Sequence, residues 1–136
     1  MRSSSKKPRP DISTTFAEGR YFDLWMLVHA LTGFAGGLSN VFFGLPPVGV
    51  YLVGLAIMVV WEIGEYVAGI RESAANRLLD IVVGLLGVAG ALQLAARLDA
   101  PGERIAFAAA AFAVGVGSAL GWVAAHRRRK RPAPPR

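Results

Sequence analysis

Five polar side chains that could form a binding or proton-transfer site lie in or beside strongly apolar segments; they are His29, Glu62, Glu65, Asn76 and Asp80. Ionisable groups inside membrane-type segments are energetically expensive and tend to mark function. Glu62 and Glu65 are three residues apart, and in a helix this spacing puts both carboxylates near one face. The set predicts a ligand or proton site, and it assigns no catalytic residue.

Four kinds of chemistry fit these groups. Carboxylates and an imidazole are ordinary ligands of Zn, Mn or Fe, so His29, Glu62 and Asp80 are candidate metal ligands, although no ligand-dense motif such as HExxH accompanies them. A carboxylate pair could share a proton, and together with His29 it would form an acid/base pair or a proton relay. The site could instead bind a cationic or hydroxyl-bearing head group, or be purely structural, with His29 and Asn76 hydrogen-bonding the carboxylates. We predict no resident cofactor and keep a divalent metal as an alternative.

The composition indicates a membrane protein of one domain. The 136 residues are 54% hydrophobic and only 18% charged, whereas soluble domains carry roughly a quarter charged residues. Most charges lie near the two ends, which leaves the middle of the chain almost free of them. Because the chain has no cysteine, disulfides, thiolate metal sites and cysteine nucleophiles are excluded.

Four apolar runs of about 20 residues each match the thickness of a bilayer core. They predict an all-α polytopic membrane protein, a bundle of four transmembrane helices within residues 21–126. The predicted spans are residues 22–43, 48–67, 76–96 and 105–125.

The connections between the spans carry turn signals or charge. Two prolines in residues 44–47 predict a tight turn, and residues 97–104 predict a charged loop around Pro101 and Gly102. Asn76 could also cap the third helix. Residues 1–20 and 127–136 read as basic tails, the first disordered and the second rich in proline.

Lysines and arginines concentrate in the two tails and the middle connector, so the positive-inside rule predicts both termini in the cytoplasm, with the chain in the cell inner membrane. With a rise of about 1.5 Å per residue, His29 and Glu62 then lie roughly 10 Å deep from the cytoplasmic side. Glu65, Asn76 and Asp80 lie nearer that interface. All five residues therefore lie in the cytoplasmic half of the bundle, and this shared level predicts a single pocket there.

Small residues on the helix faces predict close helix packing. The glycines concerned are Gly33, Gly36, Gly37, Gly84, Gly87, Gly117 and Gly121. The last two form a GxxxG pair, which arises easily by chance in a helix rich in alanine and glycine. Such faces would allow a homo-oligomer or a place in a larger membrane complex.

A basic run follows the last span: Arg127, Arg128, Arg129, Lys130 and Arg131. Beside a membrane span, such a run predicts contact with anionic lipid head groups of the bilayer and no specific nucleic-acid partner.

The residues 24–90 resemble the VanZ-like group of small bacterial membrane proteins. The matching positions are His29, Glu62, Arg71, Asp80 and the pair Gly84 and Gly87. The order of Asn76 before Asp80 departs from that group, which has Asp before Asn. The WEIGEY stretch is similar to a second group, the YjdF-like inner-membrane proteins, which share its Trp-Glu-x-x-Glu pattern. Both resemblances imply a shared membrane scaffold with a polar site, and neither implies a settled chemistry.

The hypothesis that follows is a small integral membrane protein that binds or processes an amphiphilic, lipid-like ligand at this polar site. One alternative is a structural or accessory subunit that packs on a larger membrane complex. A further alternative is a proton or cation pathway through the same residues.

Overall fold

The computed structural model describes residues 12–13, 16, 23–67 and 73–129. Its helices are α1 (Leu24–Leu38), α2 (Pro47–Val67), α3 (Ala74–Ala95) and α4 (Ala100–Arg129), and a short 3₁₀ helix, Ser39–Phe42, continues α1. No β-strand occurs in these ranges. The helical architecture confirms the all-α fold class, and all four segments are long and apolar enough to cross a membrane, which fits the multi-pass membrane protein predicted from the apolar runs.

Helix α1 is the centre of the bundle. It packs along most of α3 and also along α4, while α2 lies mainly against α3 and barely touches α1. In the most apolar stretch of α1, 39% of the residues are buried inside the protein, compared with 11% in α4. Helix α4 therefore packs against α1 and helix α2 against α3, with a gap between α1 and α2.

Glycines allow the close approach of α1 and α3. A Cβ atom on Gly33 would collide with the backbone oxygen of Gly84, and one on Gly87 would collide with the carbonyl of Ala30. A Cβ on Gly37 would lie 2.5 Å from the Cβ of Ala91. Because apolar burial gives little drive for association in lipid, such backbone contact is a main source of helix–helix attraction there.

The other predicted packing glycines behave differently. A Cβ on Gly117 would lie 3.2 Å from Val28 and one on Gly121 2.6 Å from Trp25, so both face α1 within the same chain. Gly36 is exposed, and no described atom lies within 4 Å of its Cβ position. Gly36 therefore packs against no other helix among the described residues.

Polar side chains cap helix α1 and stabilise the turn before α2. Asp23 accepts a hydrogen bond from the backbone N–H of Trp25 at 2.9 Å and caps α1. In the turn before α2, Asn40 bonds both the N–H and the carbonyl of Leu45, at 2.8 and 3.0 Å. Gly44 has φ +62°, a conformation that favours glycine, and Pro47 begins α2 where its missing N–H is harmless.

Two predicted boundaries need correction. The cap of α3 is Ser73, whose Oγ accepts the N–H of Asn76 at 3.1 Å, so the capping role considered for Asn76 is wrong. Helix α4 begins at Ala100 rather than near residue 105. Proline is tolerated in the first turn of a helix, and the carboxylate of Asp99 accepts the N–H of Gly102 at 2.9 Å.

The predicted tails lie largely outside the described residues. Near the N-terminus Phe16 packs edge-to-face on Trp25, with ring centroids 5.4 Å apart. At the other end α4 continues as far as Arg129, beyond the predicted limit of the span. Basic residues suit the C-terminal end of a helix, where the backbone dipole is negative.

Candidate functional site

Three successive helices place one ionisable side chain each at the same point of the bundle. His29 of α1, Glu62 of α2 and Asp80 of α3 are buried, with exposed fractions of 7%, 7% and 1%. Nε2 of the imidazole lies 3.7 Å from Oε1 of Glu62, and Nδ1 lies 3.8 Å from Oδ1 of Asp80. We call these three residues the polar cluster; the structure brings together residues that are 33 and 18 positions apart.

The orientation of His29 is set by its own helix. Its Nδ1 lies 2.9 Å from the carbonyl oxygen of Trp25, one turn earlier. A carbonyl only accepts, so Nδ1 carries a proton, and in the neutral ring the lone pair is on Nε2. That Nε2 is buried and makes no hydrogen bond among the described residues. The ring therefore presents its lone pair on the side of Glu62.

Asn76 positions Asp80 from one turn earlier on α3. Its side-chain N–H donates to Oδ2 of Asp80 at 3.1 Å, which leaves Oδ1 as the oxygen nearer to His29. Asn76 itself is 1% exposed. This is the neutral hydrogen-bonding partner expected from the sequence.

Other predicted site residues lie partly outside the described structure. The backbone of Glu65 belongs to α2, one turn after Glu62, but its side chain is outside the described atoms, and Arg71 is outside altogether. Of the basic run, Arg127 is an exposed residue of α4, the backbones of Arg128 and Arg129 belong to the same helix, and Lys130 and Arg131 are not described.

An apolar groove opens beside the polar cluster, between α1, α2 and α4. Its volume is about 170 Å³, and its lining is Trp25, Val28, His29, Thr32, Ile57, Met58, Trp61, Val114, Ser118 and Trp122. All three tryptophans of the chain are in this lining, so we call it the Trp groove. His29 belongs both to the groove and to the polar cluster.

The sequence did not predict the Trp groove. Trp25 and Trp122 suit the membrane interface by their position alone, and Trp61 lies next to Glu62 without any motif of its own. The available signal was that all three tryptophans fall at one end of their helices, the end that also carries the polar cluster.

A second cavity of about 250 Å³ lies towards the other end of the gap between α1 and α2. Its lining includes Gly36, Asn40, Val50, Gly54 and Ile57, and no ionisable residue contributes to it. Ile57 lines this cavity and the Trp groove, so the two spaces are neighbours along α2. The missing side chain of Gly36 helps to keep the gap open.

The polar cluster could hold a metal ion. One potential ligand atom from each of His29, Glu62 and Asp80 lies within 4.8 Å of the other two. The same groups could exchange a proton or accept hydrogen bonds from a head group, since carboxylates and an imidazole lone pair are acceptors.

Comparison with known proteins adds no further assignment. The resemblance to VanZ-like and YjdF-like proteins stays a prediction from residues 24–90. The chain matches no family model, no curated protein and no solved structure.

Proposed function

We propose that this membrane protein binds an amphiphilic, lipid-like molecule, with the head group at the polar cluster and the apolar chain in the Trp groove. The observation that carries the proposal is the position of His29, which contacts both environments. A site with acceptors on one side and an apolar wall on the other is complementary to an amphiphile.

The chemistry of the polar cluster defines the head group. Two carboxylates and the lone pair of Nε2 on His29 accept hydrogen bonds and attract positive charge, so an ammonium or hydroxyl group is the complementary partner. The apolar chain would extend from the Trp groove past Ile57 into the gap between α1 and α2. Both parts of the site are built on transmembrane helices.

Binding of a brominated long-chain ammonium should quench tryptophan fluorescence saturably, because all three tryptophans line the groove. The probe is compared with the same brominated chain carrying a sulfate, in protein reconstituted into nanodiscs. We expect Ser118→Phe, which fills the groove, to weaken both by about tenfold, or ~1.4 kcal/mol. Glu62→Gln should weaken the ammonium probe alone.

The matched control is Ala119→Phe, an exposed neighbour of Ser118 on α4, which should leave quenching unchanged. Equal quenching by the two probes, insensitive to Glu62→Gln, would exclude the polar cluster as a head-group site. Equal effects of the phenylalanines at 118 and 119 would exclude the groove.

We further propose that both termini face the cytoplasm and that the protein lies in the cell inner membrane, as the lysine and arginine distribution indicates. In this orientation the polar cluster lies in the cytoplasmic half. The basic run from Arg127 to Arg131 would then meet anionic lipid, with about 1 kcal/mol per basic residue near the surface.

Single cysteines test the orientation directly, since the chain has none of its own. Leu45→Cys and Ala100→Cys should react with an impermeant thiol reagent added to intact cells. Ala74→Cys, at the exposed start of α3, should react only after the cells are opened. The opposite pattern would place both termini outside.

A further inference from the structure

We propose that His29, Glu62 and Asp80 bind a divalent metal ion, through Nε2 of the imidazole and one oxygen of each carboxylate. The metal site depends on the polar cluster alone, whereas the proposed function also requires the Trp groove. Because a metal ion and an ammonium group would use the same acceptor atoms, the ammonium probe is titrated into metal-free protein, and the two proposals can then fail separately.

The first reason to infer a metal ion is the contact between His29 and Glu62. The hydrogen bond from Nδ1 to Trp25 leaves Nε2 with its lone pair, and a carboxylate oxygen is also an acceptor. Two acceptors that face each other need a proton or a cation between them. A charge-assisted hydrogen bond from a protonated ring would be about 2.7–2.9 Å long, and the observed separation is 3.7 Å.

A shared cation accounts for that separation better. Zinc binds imidazole nitrogen and carboxylate oxygen at about 2.0–2.2 Å, so two ligands on a tetrahedral ion lie roughly 3.4 Å apart. The separation of 3.7 Å between Nε2 and Oε1 is close to this value. Oδ1 of Asp80 lies 3.8 Å from Nδ1 of the same ring, and one potential ligand atom of each of the three residues lies within 4.8 Å of the other two.

The second reason to infer a metal ion is the set of hydrogen bonds around the polar cluster. Metal-ligating histidines commonly donate their other N–H to a carbonyl or carboxylate, and ligating carboxylates are themselves hydrogen-bonded. His29 donates to the carbonyl of Trp25, and Asp80 accepts from Asn76. In addition, the His29 side chain is only 9% exposed, and its Nε2 atom makes no hydrogen bond among the described residues.

The ligand types select the metal. One imidazole nitrogen and two carboxylate oxygens suit Zn²⁺, Mn²⁺ or Fe²⁺, while Ca²⁺ and Mg²⁺ prefer oxygen ligands alone. Three protein ligands leave at least one coordination position open, as in catalytic rather than structural zinc sites.

The test uses the full chain with an affinity tag that lacks histidine, in the His126→Gln background. His29 is then the one histidine left, because the chain has two. After removal of metal with a chelator, the protein is titrated with Co²⁺, whose visible absorption reports coordination. We expect one Co²⁺ per chain and competition by Zn²⁺ but not by Mg²⁺.

Substitutions distinguish the carboxylate ligands from Asn76, which positions one of them. Glu62→Gln and Asp80→Asn should weaken Co²⁺ binding by more than about 100-fold, and Asn76→Ala should weaken it by about 10–100-fold through Asp80. Glu103→Gln, a carboxylate in the first turn of α4, is the matched control and should have no effect. Circular dichroism checks that each variant is folded.

X-ray absorption on the Zn²⁺-loaded His126→Gln protein identifies the atoms around the bound ion, with all three residues of the polar cluster unchanged. We expect a nitrogen and oxygen shell at about 2.0–2.2 Å with the outer-shell signal of one imidazole. A shell without imidazole, or a folded, stripped protein that takes up no metal, would overturn the site. Saturable binding of the ammonium probe in that case would leave the proposed function intact.

Discussion

Replacing Gly33 with alanine should destabilise the bundle by about 1–3 kcal/mol or more, the usual range for overpacking a filled interface. The added Cβ meets the backbone oxygen of Gly84 on α3, and a backbone atom cannot rotate away as a side chain can. The helices α1 and α3 must therefore separate. Because α1 contacts every other helix and makes its largest contact with α3, the loss should affect the whole fold.

Gly36 provides the matched control on the same helix. No described atom lies within 4 Å of its Cβ position, so Gly36→Ala should be neutral or should stabilise by up to about 1 kcal/mol, the helix preference of alanine over glycine. Thermal unfolding in mild detergent, followed by circular dichroism, measures both variants. Gly87→Ala should resemble Gly33→Ala, since its Cβ meets the carbonyl of Ala30. Equal stability of the variants at 33 and 36 would refute this packing arrangement.

Gly33 packs against α3, whereas Gly36 packs against no described residue. The sequence alone could not predict this difference. Hydropathy and length sufficed for four membrane-spanning helices, because each crossing needs about 20 apolar residues whatever its neighbours are. The helical rise also gave the common depth of His29, Glu62 and Asp80. Depth is a property of one helix, whereas the direction that a side chain faces depends on its neighbours.

The contact between α1 and α3 illustrates this limit. It follows rows of residues four apart, His29, Gly33 and Gly37 on α1, with Asp80 and Gly84 on α3. Gly36 lies three residues from Gly33, about 60° further round the helix, and faces the cavity instead. Spacings of three and of four both look like one face in a sequence, and tertiary packing decides between them.

The Trp groove was missed for a related reason. Tryptophan near the end of a span is explained by the membrane interface alone, so its presence does not indicate which helices lie side by side. The boundary of α4 was placed late because Pro101 and Gly102 signal a turn. The same pair fits the first helical turn once Asp99 caps it.

The second large effect concerns the pair His29 and Glu62. Removing one partner of a buried polar pair typically costs about 3–5 kcal/mol, because the other remains in a low-dielectric site. We therefore expect His29→Leu and Glu62→Met each to destabilise strongly. The double variant should cost less than the sum of the two, by about 0.5–3 kcal/mol of coupling, since apolar side chains then face each other.

Unfolding in detergent gives the four free energies of this cycle, and each is measured with and without a metal chelator. The control cycle pairs Glu103→Gln with His126→Leu, which lie near opposite ends of α4 and should be additive within about 0.5 kcal/mol. Additivity at positions 29 and 62 as well would mean that the observed proximity of 3.7 Å carries no interaction. If the two residues share a metal ion, their coupling should largely disappear when the chelator is present, because the ion is the link between them. Coupling that survives the chelator would instead indicate direct interaction through a proton.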